Sequence, residues 1–221
     1  MVEVRVWDLP TRLFHWSLVV LVIVCWSTAE DEGTLYIVHT IAGYLVFLLV
    51  LFRLAWGWLG NDRARFGDFV RPWPVVRAYL AGLVRLKPDH SLGHNPLGGW
   101  MVVLMLAMLL AITVTGMVGA AEEPGALLDG LVDRQTSHFF PEVHETVANI
   151  LYFVVALHVA GVLLDWLLTG DNLIRAMIDG RKRVPEGIVA ADARGGGLAT
   201  AAAVATALAA LGVLLVANTS F

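Results

Sequence analysis

The sequence predicts an all-α membrane protein, and three observations carry that prediction. Of 221 residues, 58% are hydrophobic and only 15% charged, with a mean hydropathy of +0.73. This is far too apolar for an ordinary soluble domain. Five apolar segments, at about 7–28, 35–59, 97–121, 143–168 and 198–217, reach the roughly 20 helical residues that cross a hydrocarbon core of about 30 Å. A soluble helical bundle, the alternative, would carry polar stripes at the helical period; "LVVLVIVCW" and "MVVLMLAMLLAITVTGMVG" carry none.

The first segment could be taken for a signal peptide, but no small-residue cleavage site follows it and "AEDEG" is a poor candidate. Between the second and third segments, residues 60–96 form one sizeable loop. Its "PWPVVRAYLAGLVRLK" mixes bulky apolar residues with Arg77, Arg85 and Lys87, the pattern of a short amphipathic helix at a membrane surface. "GHNPLGG" then leads into the third segment, with Asn95 as N-cap and Pro96 at the first helical position. Residues 122–142 are expected as a loop, and "GDNLIRAMIDGRKRVPEG" as a polar stop after the fourth segment. "ADARGGG" makes a flexible lead into the last segment, whose small residues and lack of any ionisable group suit packing or a partner-facing helix.

Charge sets the expected orientation. Fourteen of the fifteen Lys and Arg fall in the N-terminus and in the loops after segments two and four, leaving only Arg134 on the other side. The positive-inside rule places the N-terminus in the cytoplasm and, with five spans, the C-terminus outside. The outer segments are acidic, with Glu30, Asp31 and Glu32 in one and Glu122, Glu123, Asp129 and Asp133 in the other. Cys25 is the only cysteine, so the chain by itself holds no internal disulfide, no iron–sulfur cluster and no c-type haem attachment.

Seven histidines remain to be explained, and four of them, His15, His39, His144 and His158, fall within or at the mouths of spans. Ionisable groups at such depth are costly and usually mark a site. His144 and His158 are 14 residues apart, about 40° short of four full helical turns, so they share a helix face at a rise of roughly 21 Å. They cannot bind one metal together, but they suit two centres stacked across the membrane. Span directions give the partners: depth pairs His15 with His158 near the inside and His39 with His144 near the outside. Two facing imidazoles suit the axial positions of a haem iron, and filling both favours electron transfer over gas binding. Zinc or copper would want three or four converging donors, and Asp165 is the one clear intramembrane acid. His90, His94 and His138 lie in loops, where solvated or capping roles are expected.

"VWDLPTRLFHW", "HTIAGYLVFLLVLFRLAWG", "GHNPLGGWMVVLML" and "HETVANILYFVVALHVAG" recur in order along residues 4–183. Together they resemble the bacterial cytochrome b-561 / nickel–iron hydrogenase cytochrome b-subunit family. The resemblance implies a four-helix transmembrane bundle over residues 1–183 holding two haems b, with His15, His39, His144 and His158 as ligands. Residues 184–221 are then a linker and a fifth transmembrane helix outside that core. Arg12, Arg53 and Arg65 could pair with haem propionates or a quinone headgroup, or serve as positive-inside anchors. Gly43 and Gly161 could make room for a porphyrin, or serve as small-residue helix contacts. Phe14, Trp16 and Tyr152 could line the haem edges or simply pack.

The function expected is a diheme b-type cytochrome moving electrons across the bacterial cytoplasmic membrane. It would work between a periplasmic redox partner, a hydrogenase or a c-type cytochrome, and the quinone pool. Beyond the lipid bilayer, that partner and quinone, a homo-oligomer stays open, and nucleic acid is not expected. Two alternatives are a superoxide:quinone oxidoreductase acting at the outer haem, against which the acidic outer loops argue, and a histidine-based metal transporter.

Overall fold

In a computed structural model, the described residues are 2–29, 33–88, 91–123, 126–184 and 192–217. Among them the chain runs β1 (Val2–Arg5), α1 (Leu9–Ser27), α2 (Thr34–Leu59), α3 (Phe66–Phe69), α4 (Trp73–Val84), α5 (Pro96–Gly119) with a 3-10 turn at Ala120–Glu122, α6 (Arg134–Thr169), α7 (Leu173–Asp179), β2 (Arg181–Val184) and α8 (Leu198–Ala217). Four helices are long and apolar enough to cross a membrane: Leu9–Ser27, Thr34–Leu59, Pro96–Glu122 and Arg134–Thr169. Each covers one of the first four expected spans. The amphipathic helix expected after "P-W-P" is α4, which Pro72 opens from an extended conformation.

Two expectations fail at element ends. The loop expected at 122–142 is shorter, because α6 begins at Arg134 and runs through Pro141. Proline normally stops a helix past its first turn. Here Asp133 starts α6 earlier, its carboxylate accepting from the Thr136 N–H at 3.0 Å and the Thr136 hydroxyl at 2.6 Å. Gly119 makes room for the proline, since a Cβ there would lie 3.3 Å from the Pro141 ring. The all-α expectation also fails locally: β1 pairs antiparallel with β2, with Val4 opposite Lys182 and Glu3 opposite Arg183.

The chain divides into two compact units. The first comprises Met1–Phe14, Leu54–Leu104 and Val154–Ala201. Its ribbon alternates at the strand period, burying Val4 and Lys182 while Glu3 meets Arg181 and Arg183 at the surface. Lys182 reaches Asp171 at 2.7 Å. Gly180, at φ +80°, accepts from the Val6 and Trp7 N–H groups, and a Cβ there would lie 2.6 Å from the Trp7 carbonyl. Val6, Trp7 and Ala176 close the small core beneath. Asp8 caps α1 through the Thr11 N–H and accepts from the buried Trp56 indole.

Asp165 is the main polar tie of this unit. It is 8% exposed and accepts from the Tyr79 hydroxyl at 3.1 Å and the Asn95 amide at 3.0 Å. Asn95 also caps α5 as expected, its Oδ1 accepting from the Gly98 N–H at 2.7 Å. One carboxylate thus joins α4, the start of α5 and α6.

The second unit comprises His15–Arg53, Met105–Phe153 and Ala202–Phe221. Ala42, Val46, Val50, Leu106, Leu109 and Leu151 are among its buried aliphatic residues. The C-terminal helix packs on α2 here: a Cβ at Gly212 would lie 2.9 Å from Leu48 Cδ1. Ser137, fully buried, donates to Glu122.

Two outcomes follow from these ties. Asn95→Ala removes a helix cap and one donor to a buried carboxylate, and should destabilise the protein by roughly 2–4 kcal/mol, measured by thermal unfolding in detergent. At Asp133 the hydrogen bonds from the Thr136 side chain and backbone hold the carboxyl below its ordinary value. A depressed carboxylate stabilises above its unfolded value and loses that contribution as pH falls through the folded one. Protection against hydrogen exchange in the first turn of α6, taken relative to the intrinsic rate at each pH, should therefore fall on acidification, and Asp133→Asn should flatten that fall.

Candidate functional site

The second unit brings His39 and His144 together. His39 lies in the second turn of α2, and its Nδ1 is 3.0 Å from the Cys25 carbonyl. That carbonyl belongs to the last turn of α1, where helix geometry leaves carbonyls without an intrahelical partner. His144 lies on α6, and its Nδ1 is 2.8 Å from the Ile112 carbonyl of α5. The approach needs Gly116, since a Cβ there would lie 2.9 Å from His144 Cε1 and 3.0 Å from Nδ1. The two ring centroids are 6.1 Å apart with planes at 74°.

This geometry decides the chemistry of both rings. A backbone carbonyl only accepts, so each Nδ1 carries the proton and donates it, and each Nε2 holds the lone pair. Metal-binding histidines are typically held this way, one nitrogen donating to a carbonyl while the other ligates. Two imidazoles on opposite sides of one metal, bonded at about 2 Å, hold their centroids about 6 Å apart. The observed 6.1 Å fits an iron between the rings. Among the described residues no three His, Cys, Asp or Glu side chains form a metal-holding group.

A threonine stands behind each ring. Thr28 Oγ1 and Thr115 Oγ1 each lie 3.5 Å from the neighbouring Nδ1, and both threonines are 7% exposed. The sequence reading missed Thr28, Thr115 and Gly116. The available signal was a shared spacing, "CWST" and "ITVT", which puts a threonine three residues after the accepting carbonyl each time.

The other expected site residues fall as follows. His15 stands edge-on to Trp16 at 5.1 Å in the second unit, and His158 lies on α6 in the first. Arg12, on α1, donates to the Ile178 carbonyl of α7, and Arg65 Nε donates to the Gly60 carbonyl at 2.9 Å within the connection between α2 and α3. Arg53 is 2% exposed. A Cβ at Gly43 or Gly161 would meet no atom within 4 Å, so neither is a tight helix–helix contact within the chain. Phe14 is buried, and Tyr152 meets Trp26 at 6.4 Å between centroids.

Of the three histidines expected in loops, His138 is solvated beside Glu122 but lies in the first turns of α6, because that helix starts at Arg134. The His94 ring packs against Trp7 and Phe69, each at 4.6 Å, and makes an aromatic contact rather than a cap. His90 lies outside the described residues, as do Glu30, Asp31 and Glu32.

A family model described as prokaryotic cytochrome b561 matches residues 6–180. The chain belongs to that family. The cytochrome is 25% identical to the probable Ni/Fe-hydrogenase B-type cytochrome subunit of Rhizobium leguminosarum bv. viciae, across 81% of this chain and 89% of that one. It is 27% identical to the protein of the same description from Azotobacter vinelandii, across 80% and 87%. No solved structure matches. As a member of this family the cytochrome is a bacterial membrane protein that transfers electrons, and the family implies haem b.

Gly116→Ala should push the His144 ring off the Ile112 carbonyl. The expected cost is about 1–3 kcal/mol from overpacking, read as a lowered unfolding temperature of the purified cytochrome. Gly43→Ala, with no atom to meet, should leave the protein fold unchanged.

Proposed function

We propose that the cytochrome is a diheme b-type electron carrier working between a periplasmic redox partner and the quinone pool. The observation that carries this reading is the His39–His144 pair, with both Nδ1–H groups tied to carbonyls and centroids 6.1 Å apart. His39 and His144 would hold the outer haem, and His15 and His158 the inner one. Haem b would supply one-electron chemistry at potentials set by its ligands and surroundings. The chain's part would be to present neutral imidazoles at fixed orientation.

In an ideal helix the 14-residue spacing of His144 and His158 corresponds to a rise of roughly 21 Å. Arg12 and Arg53, near the cytoplasmic ends of the first two spans, supply positive charge for propionates or a quinone headgroup. Gly43 and Gly161 leave room beside the ligands. The basic loops put the N-terminus in the cytoplasm and, with α8 as a fifth span, the C-terminus in the periplasm. The relatives' printed description makes a nickel–iron hydrogenase the first partner to test, docked on the outer face where Glu122, Glu123 and Asp129 are exposed.

Haem content per protein tests the ligand set. His39→Ala and His144→Ala should each lower bound haem from two to one per chain and remove the same redox component. His15→Ala and His158→Ala should remove the other. A full haem complement in either outer variant would sink the assignment. For the partner, purified cytochrome in quinone-containing vesicles should be reduced by hydrogen only when the hydrogenase is present.

A further inference from the structure

Both outer imidazoles are backed by the same four-residue device. Just past the end of α1, Thr28 Oγ1 donates to the Val24 carbonyl at 2.8 Å, four residues back. The carbonyl three residues back, Cys25, takes the His39 Nδ1–H. On α5, Thr115 Oγ1 donates to the Ala111 carbonyl at 2.8 Å, again four residues back, and the carbonyl three residues back, Ile112, takes the His144 Nδ1–H. Because each hydroxyl hydrogen is committed to the helix behind it, the hydroxyl oxygen turns a lone pair towards the ring. Each Nδ1–H therefore faces two oxygens: a carbonyl at 3.0 or 2.8 Å and a hydroxyl at 3.5 Å.

We propose that Thr28 and Thr115 are positioning residues that set the electron-donating strength and the plane angle of the two outer imidazoles. The proposal rests on His39 and His144 being axial ligands. A second oxygen facing an imidazole N–H strengthens its polarisation, and in a site shielded from water such contacts act undiluted. A more polarised N–H makes the ring a more basic ligand, which favours oxidised iron and lowers the reduction potential. The hydroxyl, beside the carbonyl, also limits rotation of each ring about its Cβ–Cγ bond, and so holds the planes at 74°.

The two devices are unequal. The Cys25 carbonyl lies at a helix end, whereas Ile112 lies inside α5 and also accepts the Thr115 hydroxyl at 3.0 Å. Thr115 therefore competes with His144 for its carbonyl while facing the ring itself; Thr28 is 3.5 Å from the Cys25 carbonyl and competes little. The larger shift is expected from Thr28.

The test compares Val, Ser and Ala at positions 28 and 115 in the full-length, haem-loaded cytochrome. Readouts are haem content, redox titration and the electron paramagnetic resonance signal of the oxidised form. Valine matches the shape and lacks the oxygen, serine keeps the oxygen, and alanine has neither. With haem content retained, Thr28→Val and Thr28→Ala should raise the reduced-to-oxidised ratio of one component, at a given potential, three- to tenfold. Tenfold is about 59 mV for a one-electron couple. Thr28→Ser should stay near the parent, and the other redox component should not move. The low-spin signal should change with the lost hydroxyl, since it reports the angle between ligand planes. Should a valine variant fail to accumulate, the alanine–serine contrast decides alone. Potentials that follow side-chain volume, or do not change in any variant, overturn the proposal. Failure of the ligand reading is separate, because His39→Ala and His144→Ala would then keep both haems.

Discussion

Hydrocarbon offers no hydrogen-bond partner, so every polar group carried into it must be satisfied within the chain. The four long helices meet this for the backbone, and the few polar side chains among them meet it one at a time. Asp165 collects donors from Tyr79 and Asn95. His39 and His144 each give a proton to a carbonyl of another helix. The same requirement that makes an imidazole in hydrocarbon costly fixes its tautomer, and the tautomer leaves a lone pair on the other nitrogen. The geometry of the His39–His144 pair thus grows out of the solvation constraint.

Partners come from places where helical hydrogen bonding leaves something over. The Cys25 carbonyl is available because α1 stops at Ser27. The Ile112 carbonyl is inside a helix and is reached only because Gly116 lets a ring lie against the backbone. Threonines join because their hydroxyls can donate back to their own helix, satisfying themselves and still presenting an oxygen outward. None of these groups is charged, which suits a site where an unpaired charge would be costly.

Much of this was legible in advance, and the unread parts have physical causes. The four spans follow from hydropathy and length. The outer pairing follows from depth, because alternating helix directions convert sequence position into height. The ribbon of Val2–Arg5 with Arg181–Val184 was hidden because two four-residue strands, separated by nearly the whole chain, carry too little periodicity to be noticed. The early start of α6 was hidden by Pro141, a reliable stop signal except where a cap upstream and a facing glycine make room for it. His94 read as a loop histidine, and only tertiary contacts place it against Trp7 and Phe69.

By itself, then, the sequence determined the membrane class, the four spans and the family motifs. These depend on composition and on position along a regular helix, both one-dimensional properties. Only the tertiary structure decided that His39 and His144 stand 6.1 Å apart with planes at 74°, which carbonyl holds each ring, and that Thr28 and Thr115 stand behind them. Those depend on how helices meet side by side, where a missing Cβ or the last turn of a neighbouring helix settles an ångström-scale distance. No periodicity within one segment encodes that distance.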